Sequence, residues 1–221
     1  MDNLVKSLQP YATTRFVKKG AIVLYQSEVP RQAFIVRKGL IRAYTITTAG
    51  EERIVALHAK GDLFPLPWIF GETTNTLFYY EALSDTELVT APKDEIVRAV
   101  ERDPALMSSI LKFTINEYTA LLLRITALEQ SSAAEKIGLT LYYLMFRHGL
   151  QKKPGFYTID IKMTQSMIAS LVGLTRESTS VNLKLLERKK IITYGRFTYI
   201  VNKDKLERFV GEDSFKNISL G

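Results

Sequence analysis

Cysteine is absent from the 221-residue sequence. That excludes disulfides, a thiolate zinc site, a cysteine-ligated iron–sulfur cluster and any thiol redox switch. Histidine is nearly absent too, with only His58 and His148 present. The two are not at metal-ligand spacing, and as axial haem ligands each is more simply read as a structural histidine, so no metal and no cofactor is expected. Gly-x-Ser-x-Gly and a Walker-type phosphate loop are missing; no catalytic apparatus is recognisable, and the chain is read as no enzyme. No segment approaches the ~18 uncharged apolar residues of a membrane span. The start, MDNLVKSLQP, has no basic region followed by an apolar run. The expectation is a cytoplasmic protein without a membrane partner.

What is present is an ordinary globular composition, 46% hydrophobic and 24% charged, enough to bury a core. At 221 residues, one large domain or two modest ones are the sensible priors. The formal net charge of +7 is unevenly spread. Residues 150–221 hold 13 Lys plus Arg against 7 Asp plus Glu, or +6, while residues 1–149 hold 17 against 16, or +1. Basic character concentrated in the last third fits either a solvated basic face or a polyanionic partner, and motifs must decide.

The first half reads as short strands punctuated by glycine: AIVLYQ after Lys19-Gly20, AFIVRKG, LIRAYTIT, a hairpin turn at Ala49-Gly50-Glu51, RIVALH and then Gly61-Asp62. Apolar and polar residues alternate within several of these runs, as in an antiparallel roll or sandwich. From Pro104, with Asp103 as N-cap, the pattern turns helical. Leu111, Ile115, Tyr118, Leu122 and Ile125 form a heptad stripe, and Leu106, Ile110, Phe113, Leu121 and Leu123 widen it beyond one packing face. The helix is expected to pack on the β domain and on a second copy of itself; a wholly intramolecular core helix is the alternative. A second helix is expected over residues 131–148, ending at Gly149. QKKPG reads as a short loop, followed by a strand over 157–161. The boundaries expected are a β-roll sensor domain over 1–103, a dimerisation helix over 104–130 and a DNA-binding domain over 131–221.

Residues 163–190, MTQSMIASLVGLTRESTSVNLKLLERKK, read as a helix-turn-helix. Ala169 is small where two helices cross, and Gly173 falls where the turn needs positive φ. Ile168, Leu171, Val172, Leu174, Leu183 and Leu186 supply the apolar positions. Thr175 is a good N-cap whose hydroxyl can also hold a phosphate. Arg176, Glu177 and Ser180 then occupy the part of a recognition helix that reaches base edges. An arginine fork matches guanine O6 and N7, a glutamate accepts from the cytosine amino group, and a serine serves either role. IITY and FTYIVN flank Gly195-Arg196 as a two-stranded wing, with Lys184, Lys189, Lys190 and Arg196 placed to meet phosphates. A short helix is expected over 204–209, with the tail beyond Gly211 frayed.

The chain resembles the Crp/Fnr superfamily of bacterial transcription regulators over nearly its full length. The resemblance is carried by Lys19-Gly20, Phe34-Ile35-Val36-Arg37-Lys38-Gly39, Gly50-Glu51, Gly61-Asp62 and Asp103-Pro104, and then by Thr164, Ala169, Gly173, Thr175-Arg176-Glu177 and Lys184-Leu185-Leu186-Glu187. It implies an α+β chain: an N-terminal antiparallel β-roll of the cyclic-nucleotide-binding type, a long dimerisation helix and a C-terminal winged helix-turn-helix. By matching positions it implies Arg176, Glu177 and Ser180 as base readers, with Thr164, Thr175 and Lys184 on phosphates. The implied partners are a pseudo-palindromic double-stranded DNA site, a second copy of the chain, RNA polymerase and a small-molecule effector. Three positions depart from the pattern. Thr179 and Asn182 stand where the family is usually apolar, and Val181 is apolar where it faces the groove, so either Val181 touches a thymine methyl or the helix is rolled.

The family's cyclic-nucleotide binders follow a Gly-Glu pair by an arginine about ten residues on. Here Gly71-Glu72 is followed by TTNTLFYYEALSD, which has no arginine or lysine to neutralise a cyclic phosphate, and Leu121 and Leu122 replace the adenine-contacting hydroxyls. Cyclic AMP is therefore not the expected effector. The alternatives are a cyclic-nucleotide regulator with an atypical pocket and a constitutive regulator. An aromatic-rich segment remains, and its residues either pack as core or line a pocket. The candidate pocket residues are Phe64, Trp68, Tyr79, Tyr118, Leu122 and Arg124, with Tyr118 or Arg124 as polar anchor.

Overall fold

The computed structural model describes residues 1–211, which form two compact units, Met1–Thr114 and the chain from Ile115 onward. The elements in order are α1 (Asp2–Ser7), β1 (Thr13–Val17), β2 (Ile22–Leu24), β3 (Ala33–Lys38), β4 (Ile41–Ile46), β5 (Glu52–His58), β6 (Leu63–Phe64), α2 (Leu66–Ile69), β7 (Tyr79–Ala82), β8 (Thr86–Ala91), α3 (Lys93–Arg102), α4 (Pro104–Glu129), α5 (Ala133–His148), β9 (Gly149–Lys153), β10 (Phe156–Ile159), α6 (Gln165–Val172), α7 (Arg176–Arg188), β11 (Ile192–Tyr194), β12 (Tyr199–Asn202) and α8 (Lys203–Val210). The class is α+β, with antiparallel strands first, a long helix, and a helix-turn-helix last.

In the first unit two four-stranded antiparallel sheets, ordered β1-β8-β3-β6 and β2-β7-β4-β5, enclose one core. Strand side chains alternate between faces, and β3 uses both faces. Phe34 and Val36 join Ile41, Ala43, Phe64, Tyr80 and Leu88 between the sheets. Ala33 and Ile35 point the other way, into a second core with Val89 of β8 and with Leu4, Trp68, Ile96, Val100, Leu106 and Ile110 from the flanking helices. This two-sided burial explains why AFIV is an unbroken apolar run. Gly39, with φ +103°, turns β3 into β4, and a Cβ there would stand 2.8 Å from Thr86 Cα and 2.9 Å from the Asp85 carbonyl. The hairpin at Gly50 is closed by Gly50 N–H donating to the Thr47 carbonyl at 2.9 Å.

Helix α4 starts as expected: the Asp103 carboxylate accepts from Ala105 N–H at 2.8 Å. It carries two apolar faces. Leu106, Ile110, Ala120, Leu123 and Ala127 are buried, while Met107, Leu111, Ile115, Tyr118, Leu121, Leu122, Ile125 and Leu128 are each at least 40% exposed. In the second unit α5 is the central helix, buried from Ile137 to Met145. The short helix α8 closes on it, with Tyr142 Oη donating to the buried Glu207 carboxylate at 3.1 Å. The Lys203 ammonium pairs with the same carboxylate.

Several expectations are corrected. QKKPG is no loop: Gln151–Lys153 belong to β9, which pairs with β10 through a turn at Pro154-Gly155 and makes a four-stranded sheet ordered β11-β12-β10-β9. Helix α5 does end at Gly149 as expected, though not in a left-handed conformation. The φ there is −83°, and glycine is needed because a Cβ would collide with the Met145 carbonyl. Strands β1, β7 and β8 and helices α1 and α3 lie outside the segments read as regular. The tail beyond Gly211 lies outside the described residues.

Candidate nucleic-acid interface

Helices α6 and α7 are joined by three residues, Gly173 to Thr175. Gly173 takes the left-handed conformation, φ 69° and ψ 32°, which a side chain would disfavour. The Ala169 carbonyl accepts from both Gly173 N–H and, at 3.0 Å, Leu174 N–H, closing the first helix as the chain reverses. Each helix begins on a threonine. Thr164 Oγ1 accepts from Met167 N–H at 3.2 Å, and Thr175 Oγ1 accepts from Ser178 N–H at 3.1 Å. A hydroxyl that accepts in a cap still has its own proton to donate, the group a phosphate oxygen requires.

Thr179, Leu183 and Leu186, each 0% exposed, form the buried row of the second helix, and Ile168, Leu171 and Val172 are buried on the first. Arg176, Glu177, Val181, Lys184 and Arg188 are exposed, and Ser180 is half-buried at the edge of that face. Thus the side chains able to read bases and those able to meet phosphates stand on solvent-facing surface of one rigid element. Among the six phosphate candidates, Lys184, Lys190 and Arg196 are exposed, Arg196 at the β11–β12 turn with its guanidinium 5.0 Å from the centre of the Phe197 ring. Lys189 is exposed too, its ammonium 5.0 Å from the centre of the Phe209 ring. The wing is docked onto the motif by Met163 N–H donating to the Phe197 carbonyl at 3.3 Å.

The wing and the sheet behind it rest on Tyr199, fully buried and stacked on Tyr194 with centroids 5.7 Å apart. Its hydroxyl has no hydrogen-bond partner among the described residues. Burial, with Tyr194 alongside, pushes its pKa up to about 12.

The candidate effector residues are divided between the two units, Phe64, Trp68 and Tyr79 in the first and Tyr118, Leu122 and Arg124 in the second. Phe64 lies between the two sheets of the first unit, stacked on Phe34, His58 and Tyr80. Trp68 lies in that unit's other core, capped by the Lys93 ammonium at 5.0 Å. In the second unit, Tyr118 and Leu122 stand on the exposed stripe of α4. Arg124 is buried there, and its guanidinium donates to the Leu171 carbonyl at the end of α6 at 3.2 Å, while desolvation lowers its pKa. Its charge serves the helix-turn-helix fold.

Tyr79 is different. It stacks on Tyr44 at 5.2 Å and meets Tyr25 edge-on at 6.3 Å. The Arg42 guanidinium lies 4.2 Å over the Tyr44 ring, tied to Glu81 by an Nε bond of 3.1 Å and paired with Glu52. Sequence reasoning missed Tyr25, Tyr44 and Arg42. The signal was the register of β4 on β7, Arg42 opposite Glu81 and Tyr44 opposite Tyr79, which only strand pairing reveals.

Comparison with known proteins gives two family matches. The cyclic nucleotide-binding domain model matches residues 14–103, and the Crp-like helix-turn-helix domain model matches residues 121–209. The chain is 28% identical over 209 residues to the regulatory protein HlyX of Actinobacillus pleuropneumoniae, covering 93% of this chain and 82% of that protein. It is 26% identical over 214 residues to a fumarate and nitrate reduction regulatory protein of Vibrio cholerae, covering 96% and 81%. Among solved structures, FixK2 from Bradyrhizobium japonicum superposes with a TM-score of 0.73 at 22% identity, covering 89% of this chain and 96% of that one. A CooA mutant from Carboxydothermus hydrogenoformans gives 0.72 at 22% identity, covering 94% and 90%.

Proposed function

Given that this chain belongs to the Crp/Fnr superfamily and is a DNA-binding transcription regulator, we propose that it works as a homodimer reading a pseudo-palindromic site through α7. In each protomer Arg176 and Glu177, with Ser180 beside them, contact base edges. Thr164, Thr175, Lys184, Lys189 and Arg196 hold phosphates and set register without choosing sequence. The observation that carries the reading is the geometry of α6 and α7: a left-handed Gly173, two threonine caps, and an outward face of Glu177, Lys184 and Arg188 beside Arg176.

Support for the dimer comes from α4, whose second apolar face is uncovered in the protomer: Leu111 is 58%, Ile115 54%, Tyr118 60% and Leu122 46% exposed. A second copy of the same helix is the occupant that matches a seven-residue apolar repeat. An effector held by the β-roll unit would bias how the paired helices lie, and so the spacing of the two recognition helices. The segment after Glu72 offers no cation for the phosphate of cyclic AMP, which favours an uncharged or aromatic effector. RNA polymerase is the partner through which bound DNA would be read out, in the cytoplasm; no helix among the described residues is long and apolar enough to cross a membrane.

Selection of bound sites from random DNA tests the reading. The expected result is a pseudo-palindrome with half-site centres ~34–36 Å apart, about one helical turn. Recovery of no shared sequence would refute it.

A further inference from the structure

The buried row of α7, Thr179, Leu183 and Leu186, defines the side of the helix that packs. With 3.6 residues per turn, Val181 lies about half a turn around from the centre of that row, in line with Glu177 and Arg188. Val181 is 66% exposed. A β-branched residue in mid-helix is also a mediocre helix former. Neither packing nor propensity accounts for an isopropyl group at this point.

The structure separates the two readings left open by the sequence. A rolled helix would bring Val181 inward and Thr179 outward, but Thr179 is fully buried. Its hydroxyl is satisfied within the helix, donating to the Thr175 carbonyl at 2.9 Å. Asn182 does likewise, with Nδ2 donating to the Ser178 carbonyl at 2.8 Å. Because both polar side chains find partners on their own helix, they tolerate core-facing positions, and the helix keeps its orientation. Val181 stays on the outer face.

We propose that Val181 is a specificity-determining residue that selects a thymine, packing its methyl groups on the thymine C5 methyl in the major groove. The inference rests on the reading of α7 as the recognition helix. Valine has no donor or acceptor, so the hydrogen-bonding pattern of the groove is closed to it. The thymine methyl is the apolar feature that the groove displays. Covering an amino group or carbonyl with an isopropyl group would leave that polar atom unpaired, which disfavours other bases at the same place. One helical turn beyond Glu177 is about 5.4 Å, so the thymine lies one or two base steps from the base that Glu177 touches.

The test is a uracil scan. Each thymine of the selected half-site is replaced in turn by uracil, which removes the methyl and leaves the hydrogen-bonding edge intact, and binding of the full chain is measured. One position should weaken wild-type binding about fourfold, the value of one methyl removed from an apolar contact. Val181→Ala, carried by both protomers, should bind the thymine site about as weakly as wild type binds a site with uracil at that position in both half-sites, and should be indifferent to uracil there. Uracil tolerated at every position by wild type, or sensitivity retained by Val181→Ala, overturns the proposal. Arg176→Ala, measured alongside, keeps the two failures apart. If it relaxes a G·C preference while uracil has no effect, α7 reads DNA and Val181 does not. If it changes nothing, the reading of α7 fails and the proposal with it.

Discussion

Replacing Ile115 and Leu122 together by alanine should dissociate the proposed dimer without unfolding the protomer. Both side chains lie on the uncovered stripe of α4, 54% and 46% exposed, so little intramolecular packing is lost. Alanine is the strongest helix former, so α4 itself is not weakened. Each substitution deletes three carbons, of which roughly half of the surface is free to be covered by a second copy; at ~0.8 kcal/mol per buried CH₂ that is about 1.2 kcal/mol per side chain. A two-fold dimer loses four such side chains, or about 4–5 kcal/mol. At 1.4 kcal/mol per decade, the dimer Kd should rise about a thousandfold or more. Sedimentation across a range of concentrations reads that shift directly, and urea denaturation of the same variant checks that the fold is intact. A double variant that remains a dimer with unchanged Kd would refute the assignment of this face to self-association.

Gly39→Ala and Gly50→Ala form a matched pair. Both glycines have positive φ, but an added Cβ meets backbone only at Gly39. Gly39→Ala should therefore cost about 2–5 kcal/mol from backbone strain plus overpacking, and Gly50→Ala only about 1–2. The lone tryptophan, Trp68, sits in a core of the same unit, so its fluorescence in urea reports both values; equal losses would contradict the close approach. Tyr199→Phe should leave stability unchanged or raise it, because the buried hydroxyl it removes has no partner among the described residues. The same variant has a pH signature. Burial holds Tyr199 protonated in the fold up to about 12, whereas the unfolded chain releases that proton near the ordinary value of about 10. Wild-type stability should fall as pH rises from about 10 to about 12, and the fall should be shallower in Tyr199→Phe. Parallel alkaline profiles would count against it.

The helix-turn-helix was legible because its signals are local. A glycine at a left-handed turn, a threonine at each cap and apolar residues at helical spacing act within a few residues of one another. The same holds for Asp103 at the start of α4 and for the turns at Gly39 and Gly50. Strand β9 was illegible for a physical reason: Leu150, Gln151, Lys152 and Lys153 are all exposed, so pairing with β10 rather than burial makes them a strand. The two apolar faces of α4 were visible as excess hydrophobicity. Which residue lay on which face was not, and Arg124, read as an anchor for a ligand, is committed to the Leu171 carbonyl 47 positions away. The Tyr44–Tyr79 stack and the Arg42–Glu81 pair likewise depend on strand register, which no local spacing encodes.

The claim that α7 reads sequence while its flanks grip the backbone is tested most directly by comparing Arg176→Ala with Lys184→Ala. Affinity is measured for the selected site and for random DNA over a range of salt concentrations. Arg176→Ala should lose about 1–3 kcal/mol on the selected site, relax preference at one G·C pair and leave random DNA unaffected. Lys184→Ala should weaken both DNAs alike and reduce the salt slope by about two, one for each protomer. Identical losses by the two variants on both DNAs would contradict the account.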